Sequence, residues 1–293
     1  MAEPLEALRR RAEAGDADAA LTLAAYRAIG IGGPQSWDAA FDCLVTAAER
    51  GSEPARAQLR VLARRPASGA AEPWQRLRES LDIAALTAAP PRESLSDQPR
   101  IRVLRGFATP EECDWAVAVA RPRLQPAQIW DPATGAGRSD PNRTNSALDL
   151  KPGEMDVVLQ LLRARISAAG NLPLPVFEAP QIMRYAVGEE FRPHYDFLDP
   201  AVPGYDFELA HFGQRIATCL IYLNDDFEGG ETVFPKIGLS HRGRKGDALL
   251  FANIDAARAP DPLTLHAGLP PTRGEKWIFS QWIRDRSRGA PGG

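Results

Sequence analysis

From Gln181 to Ile283 the chain is cut into short runs rich in aromatic and β-branched residues, separated by turns of Gly, Pro and Asp. No run has the length or period of a long helix, so this part of the chain must build sheet. The even spacing of the turns predicts an antiparallel barrel or jelly roll. Expected strands are Gln181–Tyr185, Phe191–Tyr195, Arg215–Leu223, Ala248–Phe251, 263–266 and Trp277–Ile283.

Upstream the text changes character. Ile101–Leu104 reads as a strand, and Thr109-Pro110-Glu111-Glu112 joins an N-cap, a proline at the first helical position and a capping-box glutamate, predicting a helix through Ala120. Trp130 to Asn142 is rich in Gly, Pro, Asp and Asn and reads as a loop, whereas Met155 to Ala169 has helical periodicity. The stretch from Phe197 to Gln214 is long and polar with Gly and Pro punctuation, the composition of a substrate-covering loop.

The first seventy residues are Ala- and Leu-rich and repeat themselves. Ala14-Gly15-Asp16-Ala17 returns as Arg50-Gly51-Ser52-Glu53, with Leu23 and Leu59 in register. Small residues let paired helices approach closely and glycine supplies the turn, so stacked helix pairs are expected. The text resembles the Sel1-like, TPR-related repeats over about one and a half units, fewer than the ~3 that usually bury a continuous solenoid core. Two domains follow: a helical region over residues 1–66, a linker with a short helix over 67–99, the sheet domain over 100–288 and a disordered tail over 289–293.

A net charge of −3 and an isoelectric point near 5.9 give no global electrostatic reason for nucleic acid or an anionic membrane as partner. No apolar run approaches the ~20 residues of a membrane span and the start is not a secretion signal, so a cytoplasmic location is expected. Cys43, Cys113 and Cys219 are far apart without CxxC spacing, which predicts reduced, buried thiols.

His194 and Asp196 lie two apart on an expected strand and so face the same way, with Tyr195 pointing off. His266 can complete a triangle from another strand across a rolled sheet. Two imidazoles and one carboxylate leave one face of an octahedral iron(II) site open to a chelating anion and dioxygen. Lys276, Ile278, Ser280 and Trp282 share one strand face, as do Thr218, Leu220 and Tyr222, so Lys276 and Ser280 can serve a carboxylate, with Tyr222 and Tyr185 as further donors. The pattern points to iron chemistry with 2-oxoglutarate.

The ordered blocks Arg184-Tyr185, Gly188, His194-Tyr195-Asp196, Arg215 to Asp225, Gly229-Gly230-Glu231-Thr232, Lys245-Gly246-Asp247 and His266-Ala267-Gly268 to Lys276-Trp277 resemble the prolyl 4-hydroxylase family of iron(II)/2-oxoglutarate dioxygenases. The resemblance runs from about Ile101 to Arg284, with Arg143-Thr144-Asn145-Ser146 in its upstream part. It implies an α+β fold: a double-stranded β-helix, or jelly-roll, oxygenase core with flanking helices, preceded by the small all-α domain. It also implies His194, Asp196 and His266 as iron ligands, Lys276 on the distal carboxylate of 2-oxoglutarate, Tyr185, Tyr222 and Ser280 as its supports, and Arg215 and Trp282 toward substrate.

The implied reaction hydroxylates an aliphatic C–H bond, releasing succinate and carbon dioxide, with ascorbate a candidate reductant. The implied substrate is a peptidyl proline, with a free amino acid or small metabolite as the alternative and the helical repeat as a possible protein dock. A halogenase would need a small residue in place of Asp196, a zinc hydrolase has no use for Lys276 and Ser280, and a silent binding module would not need the complete ligand set. His211 and His241 lie in loop-like text and are expected to be solvated, as are Arg242, Arg244 and Lys245; Asp225-Asp226-Phe227-Glu228 is expected to be a charged hairpin turn.

Overall fold

The computed structural model describes residues 4–65, 73–131, 135–151 and 153–287. The first residues of the expected linker, 67–72, and the expected tail at 289–293 lie outside the described residues. Two compact units are formed, one by Met1–Ala88 with Lys151–Arg165, the other by Ala89–Leu150 with Ile166–Gly293.

The first unit is helical. Leu5–Glu13, Ala17–Ile29, Trp37–Glu49 and Glu53–Leu62 pack through small side chains, with Ala24, Ala28, Ala40 and Ala48 fully buried around Leu44 and Leu59. Each of two hairpins is made the same way: a helix ends, a glycine takes a positive φ (Gly15 at 104°, Gly51 at 95°), and the next residue caps the following helix. Asp16 accepts the amides of Asp18 and Ala19, and Ser52 that of Ala55. Nothing lies within 4 Å of a Cβ built on either glycine, so the backbone angle, not crowding, is what favours glycine there. Two helices, Trp74–Glu79 and Ile83–Thr87, stand in the linker where one short helix is expected.

The second unit is the jelly-roll core, a mixed helix-and-sheet fold built on two antiparallel sheets. The larger has eight strands in the order Arg92–Asp97, Arg100–Leu104, Ala248–Ala252, Arg215–Tyr222, Lys276–Arg284, Gln181–Tyr185, Ser146–Asp149 and Gln125–Pro126. The smaller runs Leu239–His241, Thr232–Phe234, His266–Gly268 and Phe191–His194. Ile101, Leu249 and Ile278 of the large sheet share one buried apolar cluster with Phe234 of the small one. Outside it, the helix Pro110–Ala120 starts at Thr109 with the expected capping box closed by Glu112.

Several stretches differ from expectation. Residues 92–97, in text that reads as linker, form an edge strand on Arg100–Leu104, because backbone pairing at a sheet edge tolerates polar side chains. The presumed loop from Phe197 to Gln214 contains the helix Tyr205–Phe212, entered at Gly204 and left at Gly213, both with positive φ. Ile129–Asp131 and Ala136–Arg138 pair within the other presumed loop. Residues 262–264 are a single 3-10 turn and the strand begins at His266. The three cysteines are free, with Cys113 and Cys219 buried and Cys43 partly so. Among the described residues no helix is long and apolar enough to cross a membrane.

Candidate active site

His194 is the last residue of its strand and His266 the first of the neighbouring strand, and the two are direct cross-strand partners. The chain leaves the sheet after His194, so Asp196 reaches the site from a bend rather than from the continuing strand that the spacing suggests. The outcome for the triangle is the same. Asp196 Oδ1 lies 3.7 Å from His194 Nε2 and Asp196 Oδ2 lies 3.5 Å from His266 Nε2, and one ligand atom from each residue fits within 4.8 Å of the others.

Each imidazole is set in a single tautomer by the backbone carbonyl two residues before it. His194 Nδ1 is 2.8 Å from the Arg192 carbonyl oxygen and His266 Nδ1 is 2.9 Å from that of Thr264. A ring nitrogen facing a carbonyl must carry the hydrogen, so both Nε2 lone pairs turn toward Asp196. Packing pushes the His194 imidazole down to about 3, with His266 adding to the effect, which keeps it neutral. Burial alone would raise the Asp196 carboxyl, but His266, His194 and the Thr218 hydroxyl hold it below its ordinary value. Two neutral nitrogens and one carboxylate suit iron(II) and leave it a net positive charge for an anionic chelator.

Behind the carboxylate stands a short relay. Asn253 Nδ2 donates to Thr218 Oγ1 at 3.0 Å, and Thr218 Oγ1 donates to Asp196 Oδ2 at 2.7 Å. Both side chains are fully buried. Phe191 stacks flat on His194 at 3.5 Å, and Phe251 meets the His266 ring edge-on at 4.9 Å. Period-two reading points Thr218 inward, but Asn253 lies one residue beyond its strand, where that rule stops applying.

The triad opens into a cavity between the two sheets that is also lined by Tyr185, Thr232, Lys276, Ser280 and Trp282. Lys276 is only 2% exposed. Its ammonium lies 5.2 Å from the Tyr185 ring centre and 5.9 Å from that of Tyr222, and among the described residues no carboxylate pairs with it. Desolvation lowers it to about 7, opposed weakly by Glu231. Gly230 makes room for this side chain: a Cβ there would come 3.3 Å from Lys276 Cδ and 3.0 Å from the Phe227 ring.

Not every expected residue reaches the cavity. Tyr222 faces the right way but is sealed behind the wall, its hydroxyl donating to Thr232 Oγ1 at 3.0 Å. The turn at Gly243 lies so close that a Cβ would come 2.2 Å from the Tyr222 ring. Trp282 does wall the cavity, and the Arg215 guanidinium lies 4.1 Å from its ring centre. Arg215 is committed to Glu178 through two hydrogen bonds of 2.7 and 3.0 Å, and Arg284 adds a third to the same carboxylate at 2.6 Å. Glu178, the buried hub of this cluster, carries no sequence signal that single-chain reading could use. Tyr195 turns aside, its hydroxyl donating to the Pro262 carbonyl and its ring stacked on Phe197.

His211 is exposed, on a helix rather than a loop. His241 corrects expectation: it is buried on the strand Leu239–His241 with its ring edge-on to Tyr222. Lys245 leaves its expected patch to pair with Asp114 at 2.6 Å. Asp225 accepts the Lys245 amide, and Asp226 accepts from Asn224, as turn residues do.

Residues 180–284 match the model of the 2OG-Fe(II) oxygenase superfamily. The chain is 37% identical to prolyl 4-hydroxylase 1 of Arabidopsis thaliana, over 67% of this chain and 72% of that protein. It is 37% identical to prolyl 4-hydroxylase 5 of the same plant, over 65% of this chain and 70% of that one. Among solved structures, the viral collagen prolyl hydroxylase of Paramecium bursaria Chlorella virus 1, in complex with 2-oxoglutarate, aligns with a TM-score of 0.48 at 28% identity, over 65% of this chain and 98% of that chain. The chain thus belongs to the prolyl 4-hydroxylase family of 2-oxoglutarate- and iron(II)-dependent oxygenases, and is a dioxygenase using iron(II), 2-oxoglutarate and dioxygen.

Proposed function

We propose that this dioxygenase hydroxylates proline within a peptide or protein. The observation that carries the cosubstrate half of this reading is Lys276, a buried ammonium with no carboxylate partner among the described residues, in the same cavity as the His194–Asp196–His266 triad. A buried cation of this kind is complementary to a carboxylate brought by a ligand. On this reading the triad holds iron(II), Lys276 takes the distal carboxylate of 2-oxoglutarate with Ser280 and Tyr185 beside it, and Tyr222 supports Lys276 from behind. Iron with its two cosubstrates supplies the oxidising power for the C–H bond, and succinate and carbon dioxide leave.

The chain's own contribution is placement. The Arg192 and Thr264 carbonyls fix the imidazoles, Thr218 fixes the carboxylate, and Phe191 and Trp282 wall the cavity. Arg215, clamped by Glu178, holds Trp282 as the wall nearest substrate. The peptidyl substrate rests on the likeness to relatives named prolyl 4-hydroxylases.

The finer reading of the helical unit is a Sel1-like repeat that docks the substrate protein. It is supported by the matched glycine-and-cap hairpins at Gly15-Asp16 and Gly51-Ser52.

Mass spectrometry after incubation with proline-containing peptides, protein candidates and free amino acids tests the whole. Gain of one oxygen on a peptide proline is expected. Oxygen appearing on free amino acids alone would overturn the peptide assignment, and absence of both product and succinate with every substrate would favour a silent binding module.

A further inference from the structure

The second unit has another polar cleft, lined by Arg105, His241, Arg242, Arg244 and Asp247. Its charge is not balanced. Asp247 is 4% exposed and fully engaged, accepting from Arg105 at 2.8 Å, from the Gly106 amide at 3.0 Å and from the Arg244 amide at 3.2 Å. Glu93 reaches Arg105 at 3.4 Å from the outer side. Arg242 and Arg244 are exposed, and among the described residues neither guanidinium pairs with a carboxylate; Arg242 is placed over the Phe227 ring at 5.6 Å.

At the back of the cleft, His241 is nine-tenths buried, and its Nε2 is buried with no hydrogen-bond partner among the described residues. A solvated basic face does not require such an atom. An orphaned ring nitrogen in a cleft lined by three arginines is what an oxyanion would complete, since the imidazole can carry its hydrogen on Nε2 and donate. Planar guanidiniums match phosphate oxygens in pairs, and a multiply charged anion answers the surplus of positive charge.

We propose that this cleft binds a phosphate group, inorganic or as a monoester. Arg242 and Arg244 grip it from the turn, Arg105 is held in place by Asp247, and His241 Nε2 donates the innermost hydrogen bond. The site is distinct from the cosubstrate cavity, where Lys276 provides a single ammonium. Tyr222 is the neighbour both share, its ring near-perpendicular to that of His241 and facing the Lys276 ammonium.

The test is calorimetric titration of the full chain with inorganic phosphate at low ionic strength, repeated with glycerol phosphate and in the presence of saturating 2-oxoglutarate. Saturable binding is expected, weakened about tenfold or more in the Arg242→Ala, Arg244→Ala double variant and severalfold in His241→Phe, as loss of charge-assisted hydrogen bonds implies. Lys276→Ala should bind phosphate as the natural chain does, and 2-oxoglutarate should not displace it. Tighter binding of the ester than of inorganic phosphate would assign the site to a phosphorylated molecule, the reverse to free phosphate. No saturable binding, binding indifferent to the double substitution, or competition with 2-oxoglutarate would overturn the proposal; 2-oxoglutarate binding by the double variant and by His241→Phe shows that those two fold.

Discussion

Lys276 and Tyr185 are direct cross-strand partners, and the lysine ammonium stands 5.2 Å from the centre of the tyrosine ring. The ring shields the ammonium from water without neutralising it. Lys276→Ala is therefore expected to raise the KM for 2-oxoglutarate by about 30-fold or more, the equivalent of roughly 2 kcal/mol for losing one partner of a buried charge pair. Iron(II) affinity, read by metal titration, should change little. Equal loss of both would contradict the assignment of this residue.

The same burial makes cosubstrate capture dependent on pH. Lys276 sits at about 7 when no carboxylate is bound, so its charge is present below that value and lost as pH rises through it. A bound carboxylate favours the charged form. Binding of 2-oxoglutarate should weaken from about pH 7 upward and should take up protons, which calorimetry in two buffers of different ionisation enthalpy would measure. Proton-neutral binding above neutrality would show that the lysine is already fully charged.

Thr218→Val keeps the shape of the side chain while removing the hydrogen bond to Asp196 Oδ2 and leaving Asn253 Nδ2 without its acceptor. Loss of a partner behind a metal ligand commonly weakens metal affinity by about 10–100-fold. Anaerobic iron(II) titration should show that loss, with the KM for 2-oxoglutarate at saturating iron nearly unchanged. Unaltered iron affinity would reduce the relay to packing.

Glu178 holds two arginines and is itself held down to about 2, because Arg215 and Arg284 overcome the cost of its burial. Its folded value is below its ordinary 4.5, so the stability it contributes is present above that pH and is lost as pH falls toward about 2. Glu178→Gln leaves Arg215 without its anion and Arg284 with Glu208 alone, and should cost about 3 kcal/mol. Urea midpoints of the two proteins should lie far apart near neutral pH and converge in acid. A constant gap would place the effect in packing alone.

The chemistry of the site was legible because iron and a dicarboxylate accept few residue types, and because same-face spacing on a strand put Lys276 with Ser280; Asp196 joins His194 from a bend just past the strand end. The rule fails where a second layer intervenes. Tyr222 shares its strand face with Thr218, yet the Gly243 turn and the Thr232 hydroxyl enclose it, and nothing in the strand's own text records that cover. His241 read as solvated because its strand is only three residues long and its flanks are Ser240 and Arg242. The helix Tyr205–Phe212 was hidden by mixed aromatic and acidic residues without an apolar stripe, its hold on the fold coming from Arg284 to Glu208 and to the Gly213 carbonyl. Arg92–Asp97 was hidden in the opposite way, since an edge strand needs backbone partners more than apolar side chains.

The strand Phe191–His194 is the outer edge of the small sheet, and between it and His266 the chain passes through two strands of the large sheet, Arg215–Tyr222 and Ala248–Ala252. An ion bridging His194, Asp196 and His266 would rivet that edge to its neighbour and close a long loop, a constraint worth most where the ladder is shortest. Iron would then guard the fold as well as serve the reaction. Chelation should make residues 191–197 the first to exchange amide hydrogen, well before the eight-stranded sheet loosens.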